Sequence, residues 1–333
     1  MDNNFLFYDL PDPAAEKKRR FMKAQNRVAI MLLISFGITI GCSVIIAFAY
    51  RMFPHMTENE IGYQVVQTMM YLSYIALPAL TFGIISGKKL RSYFTFSAGG
   101  KNRAAVFFAA LGVIYFAQLV AALLSTVLGY AGLSESYEYD TAFDLTTFII
   151  RFITIAVLPA IFEELMMRGV VLGELLPYGK GFAIIASGVL FGLMHMSAVQ
   201  LPFACIAGIA MAFAAVYTGS LLTSILLHFT NNLISVVLLS LPALVGAEWA
   251  VFIEAALSTL IFLCGAAAAV YLIKNKDEKP DGKRKALCVS VYEADRVDLR
   301  DFSPKNVSPL LYVYAAIAVI MAIYSLIAQV ITL

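Results

Sequence analysis

The sequence predicts an all-α fold, a polytopic membrane helix bundle of eight or nine transmembrane helices with a cytoplasmic N-terminus. Three observations carry this. The first is composition: of 333 residues, 61% are hydrophobic and 14% charged, against ~45–50% apolar and ~25% charged in soluble domains. With a mean hydropathy of +0.82, so apolar a chain cannot cover its own core with polar surface, and the excess must face lipid. The second is the length of the apolar runs, which match the roughly 20 residues that cross a hydrocarbon core of ~30 Å. The third is the clustering of Lys and Arg in alternate connections. Together they exclude a cytosolic enzyme, a nucleic-acid binder and a disordered scaffold. A formal net charge of +2 is too small to imply an anionic partner.

In chain order, the apolar runs occupy 28–50, 61–86, 104–133, 147–175, 182–197, 201–217, 220–241, 249–273 and 308–333. The spans within 182–241 are short, separated only by 197–200 and Gly219, which leaves the count at eight or nine. Residues 1–27 form a basic cytoplasmic segment with Lys17, Lys18, Arg19, Arg20, Lys23 and Arg27. A second basic loop carries Lys88, Lys89, Arg91, Lys101 and Arg103, and a third, 274–307, carries Lys274, Lys276, Lys279, Lys283, Arg284 and Lys285. Nine helices put all three on one side, which the positive-inside rule makes the cytoplasm. The connection 134–146 has Glu135, Glu138, Asp140 and Asp144 and no basic residue, as an outer loop allows. The organisation expected is therefore a 28–146 block of N-terminal helices, a 147–241 core, a helix at 249–273, a cytoplasmic loop at 274–307 and a last helix at 308–333. The run before Ala47-Phe48-Ala49 exceeds a ~7–15-residue signal core, so the first helix reads as uncleaved. Cys42, Cys205, Cys264 and Cys288 form no CxxC pair and read as small hydrophobes.

In such a chain the informative residues are polar ones at depth, where each ionised group costs at least ~2.5–3.5 kcal/mol on insertion scales. Three clusters qualify. Glu163-Glu164-x-x-x-Arg168 lies in the fourth run just after Pro159. Glu164 and Arg168 stand four apart and nearly share a face, whereas Glu163 and Arg168 are about 140° apart at 3.6 residues per turn. Arg168 therefore neutralises Glu164, and Glu163 needs a partner from elsewhere. Pro159 removes the bond to the carbonyl of Ile155, which predicts a kink one turn before the glutamates. Phe191-x-x-x-His195 closes the fifth run. His228-x-x-x-Asn232 sits in the seventh, with His228 and Asn232 on one face and Asn231 turned away. The chain has three histidines, and two fall in this set. A buried ion pair, a core histidine and an interhelical asparagine would each be ordinary alone. The economical expectation is that the three clusters converge at one depth.

A carboxylate and two imidazoles are a minimal set for activating water. Two routes stay open on these residues. In one, Glu163, His195 and His228 hold Zn²⁺ with an open position for water. In the other, without metal, Glu163 takes the proton from a water oriented by His195, while His228 and Asn232 stabilise the oxyanion. No His-Glu-x-x-His, no Gly-x-Gly-Asp and no Walker A sequence occurs, and Gly83-Ile-Ile-Ser86-Gly87 is not a rhomboid-type serine motif.

The ordered set Glu-Glu-x-x-x-Arg, Phe-x-x-x-His and His-x-x-x-Asn over 163–232 resembles the CPBP family of intramembrane endopeptidases, the group of type II CAAX prenyl proteases and bacteriocin-processing or immunity proteins. The resemblance implies hydrolysis of a peptide bond in or near the membrane. It implies Glu163 and His195 as water-activating residues, His228 and Asn232 as oxyanion support, and Glu164, Arg168 and Phe191 as supporting residues. It admits both a metal-free glutamate mechanism and a zinc ion. Expected partners are membrane lipid and a peptide or membrane-protein substrate, such as a pheromone or bacteriocin leader, in a bacterial cell membrane. A non-catalytic immunity factor or scaffold of the same family is the alternative, and a proton-coupled transporter using Glu163 a weaker one.

Overall fold

The computed structural model describes residues 12–53, 60–87, 96, 102–130, 133, 142–275 and 306–331. The start of the basic N-terminal segment and most of the connections expected at 88–103, 134–146 and 274–307 lie outside the described residues, as does Cys288. The described part is helical throughout: α1 (Pro13–Met52), α2 (Glu60–Ser86), α3 (Arg103–Tyr130), α4 (Leu145–Tyr178), α5 (Lys180–Met194), α6 (Gln200–Thr218), α7 (Leu221–Val245), α8 (Ala247–Lys274) and α9 (Pro309–Ile331). Seven of these are long and apolar enough to cross a membrane, and α5 and part of α2 add shorter apolar stretches. This is the helical bundle the composition demanded, and the doubtful stretch 182–241 resolves into three helices.

The helix ends follow local chemistry. α1 begins 15 residues before its apolar run, because Asp12 accepts a hydrogen bond from the Ala14 N–H at 3.0 Å and Pro13 occupies the first turn. Part of the expected N-terminal tail is therefore helix. Phe21 on that extension is buried against Tyr178 and Phe182, with ring centroids 5.0 and 5.2 Å away, and Arg27 pairs with the buried Glu174 of α4. Gln25 and Asn26 bond to Asn306 and Ser308, so α1 also holds the start of α9. From α4 to α8 the connections are minimal: Gly179 alone, residues 195–199, Gly219 with Ser220, and Gly246 alone. Gly219 turns the chain at φ +64°, a left-handed conformation that glycine adopts without steric cost.

Close backbone approach packs the bundle. A Cβ added at Gly112 of α3 would lie 2.7 Å from the Cα of Gly265 on α8, and one at Gly208 of α6 would lie 2.9 Å from the Cα of Gly188 on α5. Without water to drive helices together, such small-residue contacts are the principal packing device in lipid. The three described cysteines, Cys42, Cys205 and Cys264, are free.

Around Pro159, α4 carries two π-helical segments, Phe152–Val157 and Leu165–Val171, on either side of Leu158–Glu164. Proline cannot donate to the carbonyl four residues back, and the helix accommodates this by widening. Such π segments are frequent at functional sites.

Candidate active site

The middle segment of α4 presents Glu163 and Glu164 to the interior, both buried. Glu164 lies deepest, fully enclosed, with Arg168 almost as deep. Arg168 Nη1 donates to Glu164 Oε1 at 2.8 Å, and Nη2 donates to the carbonyl of Gly208 at 2.9 Å. One guanidinium thus neutralises the carboxylate and ties α4 to α6. Removing one partner of so buried a pair costs about 3–5 kcal/mol, because the other charge is then stranded.

Phe191 is the hub above this pair. The Arg168 guanidinium sits 4.4 Å from its ring centroid, and the imidazoles of His195 and His228 meet the ring edge-to-face at 4.8 and 5.8 Å. The spacing Phe-x-x-x-His puts the Phe191 ring beside its own histidine, and folding brings the second histidine to the same ring.

His195 is not inside a helix, as its place in the apolar run suggested. α5 ends at Met194, and His195 caps it. Its backbone N–H bonds to Gly192 O at 3.1 Å, which leaves the Phe191 carbonyl open, and the ring Nδ1 takes that carbonyl at 2.8 Å. A carbonyl only accepts, so Nδ1 carries the proton, and in that tautomer Nε2 is the acceptor. The capping bond is therefore also a tautomer lock.

His228 is oriented by the other glutamate. Its Nδ1 lies 3.0 Å from Glu164 Oε1, and its Nε2 faces Glu163 Oε2 at 3.9 Å. That gap is too long for a direct bond and suits a bridging water. The partner that Glu163 needed is Tyr71 of α2, whose hydroxyl donates to Glu163 Oε1 at 2.8 Å.

Asn232 is spent partly on the backbone. Its Nδ2 donates to the Ile155 carbonyl at 2.8 Å, the group that Pro159 cannot serve. Asn231 does not turn away. It donates to Asn232 Oδ1 at 3.0 Å and accepts from Gln118 of α3 at 2.9 Å. A chain of amides thus runs from α3 through α7 to the widened part of α4.

Glu163, His195, His228 and Asn232 all line one cavity of about 740 Å³, shared with Phe191, Gln118, Asn231 and Glu254 of α8. Tyr71, Gln118 and Glu254 were not singled out from the sequence, and Asn231 was expected to face away from the site. The available signal was a set of polar residues inside apolar runs, weaker because three of the four are uncharged. Among the described residues no three His, Cys, Asp or Glu side chains gather closely enough to hold a metal ion. Glu163 Oε2 and His228 Nε2, 3.9 Å apart, would supply two of the three donors of a zinc centre, and His195 does not join them in a metal-binding group as placed.

This geometry coincides with a match to known proteins. Residues 145–234 match the Rce1-like family, described as type II CAAX prenyl endopeptidase. The matched stretch runs from the first turn of α4 to the middle of α7 and contains all three motifs. The Rce1-like match and seven helices suited to crossing a membrane make the chain a multi-pass integral membrane protein. No curated protein and no solved structure matches the chain.

Proposed function

We propose that the protein is an intramembrane endopeptidase that hydrolyses a peptide bond with a water activated by Glu163, without a metal ion. The observation that carries this is the shared cavity: a carboxylate held by Tyr71, an imidazole 3.9 Å from it, and a second imidazole with Nε2 as its acceptor all open on one space. Glu163 takes the proton of a water lying between it and His228, and the resulting hydroxide attacks the scissile carbonyl. His195, fixed with Nε2 as an acceptor, orients that water. His228, donating Nδ1–H to Glu164, takes that proton from Glu163 onto Nε2 and with it stabilises the oxyanion, and the second N–H of Asn232 assists. The same proton then passes to the leaving amine. Atoms balance: the C–N bond breaks, water supplies hydroxyl to one fragment and a proton to the other.

The Rce1-like match supports a peptide carrying a membrane anchor as substrate, with cleavage near its lipid-proximal end. The test is mass spectrometry of the membrane peptidome in cells making the wild-type chain or Glu163→Gln. Fragments with new termini present only with wild type are expected, with purified protein in nanodiscs losing about 10²–10⁴-fold in rate on the same substitution. Identical peptidomes, or unchanged cleavage by Glu163→Gln, would sink the proposal.

A further inference from the structure

The cavity holds a second carboxylate that the proposed hydrolysis does not use. Glu254 lies seven residues into α8, about 10 Å along its axis, and it lines the cavity with Glu163 and His228. Between Glu248 and Lys274 it is the sole charged residue of an otherwise apolar helix. Its side chain is exposed at the cavity wall, and among the described residues Glu254 makes no hydrogen bond or ion pair. The neighbour that feels its charge is Tyr115 of α3, a neutral phenol whose buried hydroxyl is itself unbonded.

The cavity lining contains no lysine or arginine. Arg168 lies under the Phe191 ring and is committed to Glu164. Two glutamates and no basic side chain in the lining therefore give the cavity a negative field. Low-dielectric walls strengthen such a field. The rest of the lining near α7 and α8, including Leu238 and Leu239, is apolar and suits the stem of a long side chain.

We propose that Glu254 is a specificity-determining residue that receives a lysine or arginine side chain of the substrate peptide. This rests on the endopeptidase reading for what the peptide does next, but binding alone suffices to test it. The experiment uses the full chain in lipid nanodiscs and a set of internally quenched apolar peptides, identical except for Lys, Arg, Gln or Glu walked through each position. Binding is read by fluorescence anisotropy on the Glu163→Gln background, and cleavage on the chain with Glu163 intact.

At one position Lys and Arg should bind about tenfold more tightly than Gln. Glu254→Gln should erase that difference, and Glu254→Lys should invert it in favour of Glu. Inversion also separates recognition from misfolding, because a collapsed cavity gains no new preference. Equal discrimination with and without Glu254→Gln overturns the proposal, as does failure of every peptide to bind. Charge-selective binding without any cleavage leaves Glu254 assigned and removes the endopeptidase reading. Cleavage with no charge preference does the opposite.

Discussion

At the scale of single residues, the site works by giving each polar group one fixed neighbour and leaving its other face free. Glu163 shows this best: Tyr71 holds one oxygen and the other faces His228. Tyr71 is thus a positioning residue, acting through the glutamate. A hydrogen bond to a charged group contributes about 1.5–3 kcal/mol, so Tyr71→Phe should lower kcat by about tenfold or more with KM nearly unchanged. Single-turnover kinetics on a quenched peptide would check it, and a raised KM at constant kcat would mean that Tyr71 binds substrate instead. The Glu164–Arg168 pair was legible from sequence because a spacing of four on a helix is a local fact. Tyr71 was not, because a contact across 92 residues leaves no trace in spacing.

At the scale of elements, α4 is the unusual member. Its two π segments bracket the glutamates, and the carbonyl of Ile155 is served by Asn232 rather than by residue 159. Pro159→Ala would supply the missing N–H. Asn232→Ala should therefore destabilise the wild-type helix by about 1 kcal/mol or more and cost less in the Pro159→Ala background. A double-mutant cycle of thermal midpoints in one detergent measures this coupling. Strict additivity would show that the amide bond carries no weight. The sequence disclosed the broken bond at Pro159 but not its remedy, since widening and kinking answer the same lost donor. The end of α5 was similarly hidden: hydropathy continues past Met194, and the stop is made by the His195 ring closing on Phe191.

At the scale of the whole molecule, helix number and apolar character were legible because lipid imposes them residue by residue. The packing was not, because it depends on which small residues meet. Gly112 and Gly265 bring α3 and α8 into backbone contact, and both helices contribute to the cavity wall through Gln118 and Glu254. Gly265→Leu should force them apart, lowering stability by about 1–3 kcal/mol or more through overpacking and weakening peptide binding at the same time. Thermal unfolding and anisotropy on one preparation would test both, and an unchanged midpoint would show that α8 can shift freely.

The Tyr71 contact has a consequence for biogenesis. Chains enter the membrane from the N-terminus onward, with earlier elements in place before later ones emerge. The helix bearing Tyr71 is thus already in the bilayer when the glutamates of α4 arrive, and a hydroxyl awaits Glu163 there. Arg168 follows four residues behind Glu164 on the same helix, so that carboxylate brings its counter-charge with it. The histidines come last. Order of synthesis lets this chain deliver two acids into oil, each met by a partner, before the machinery that uses them exists.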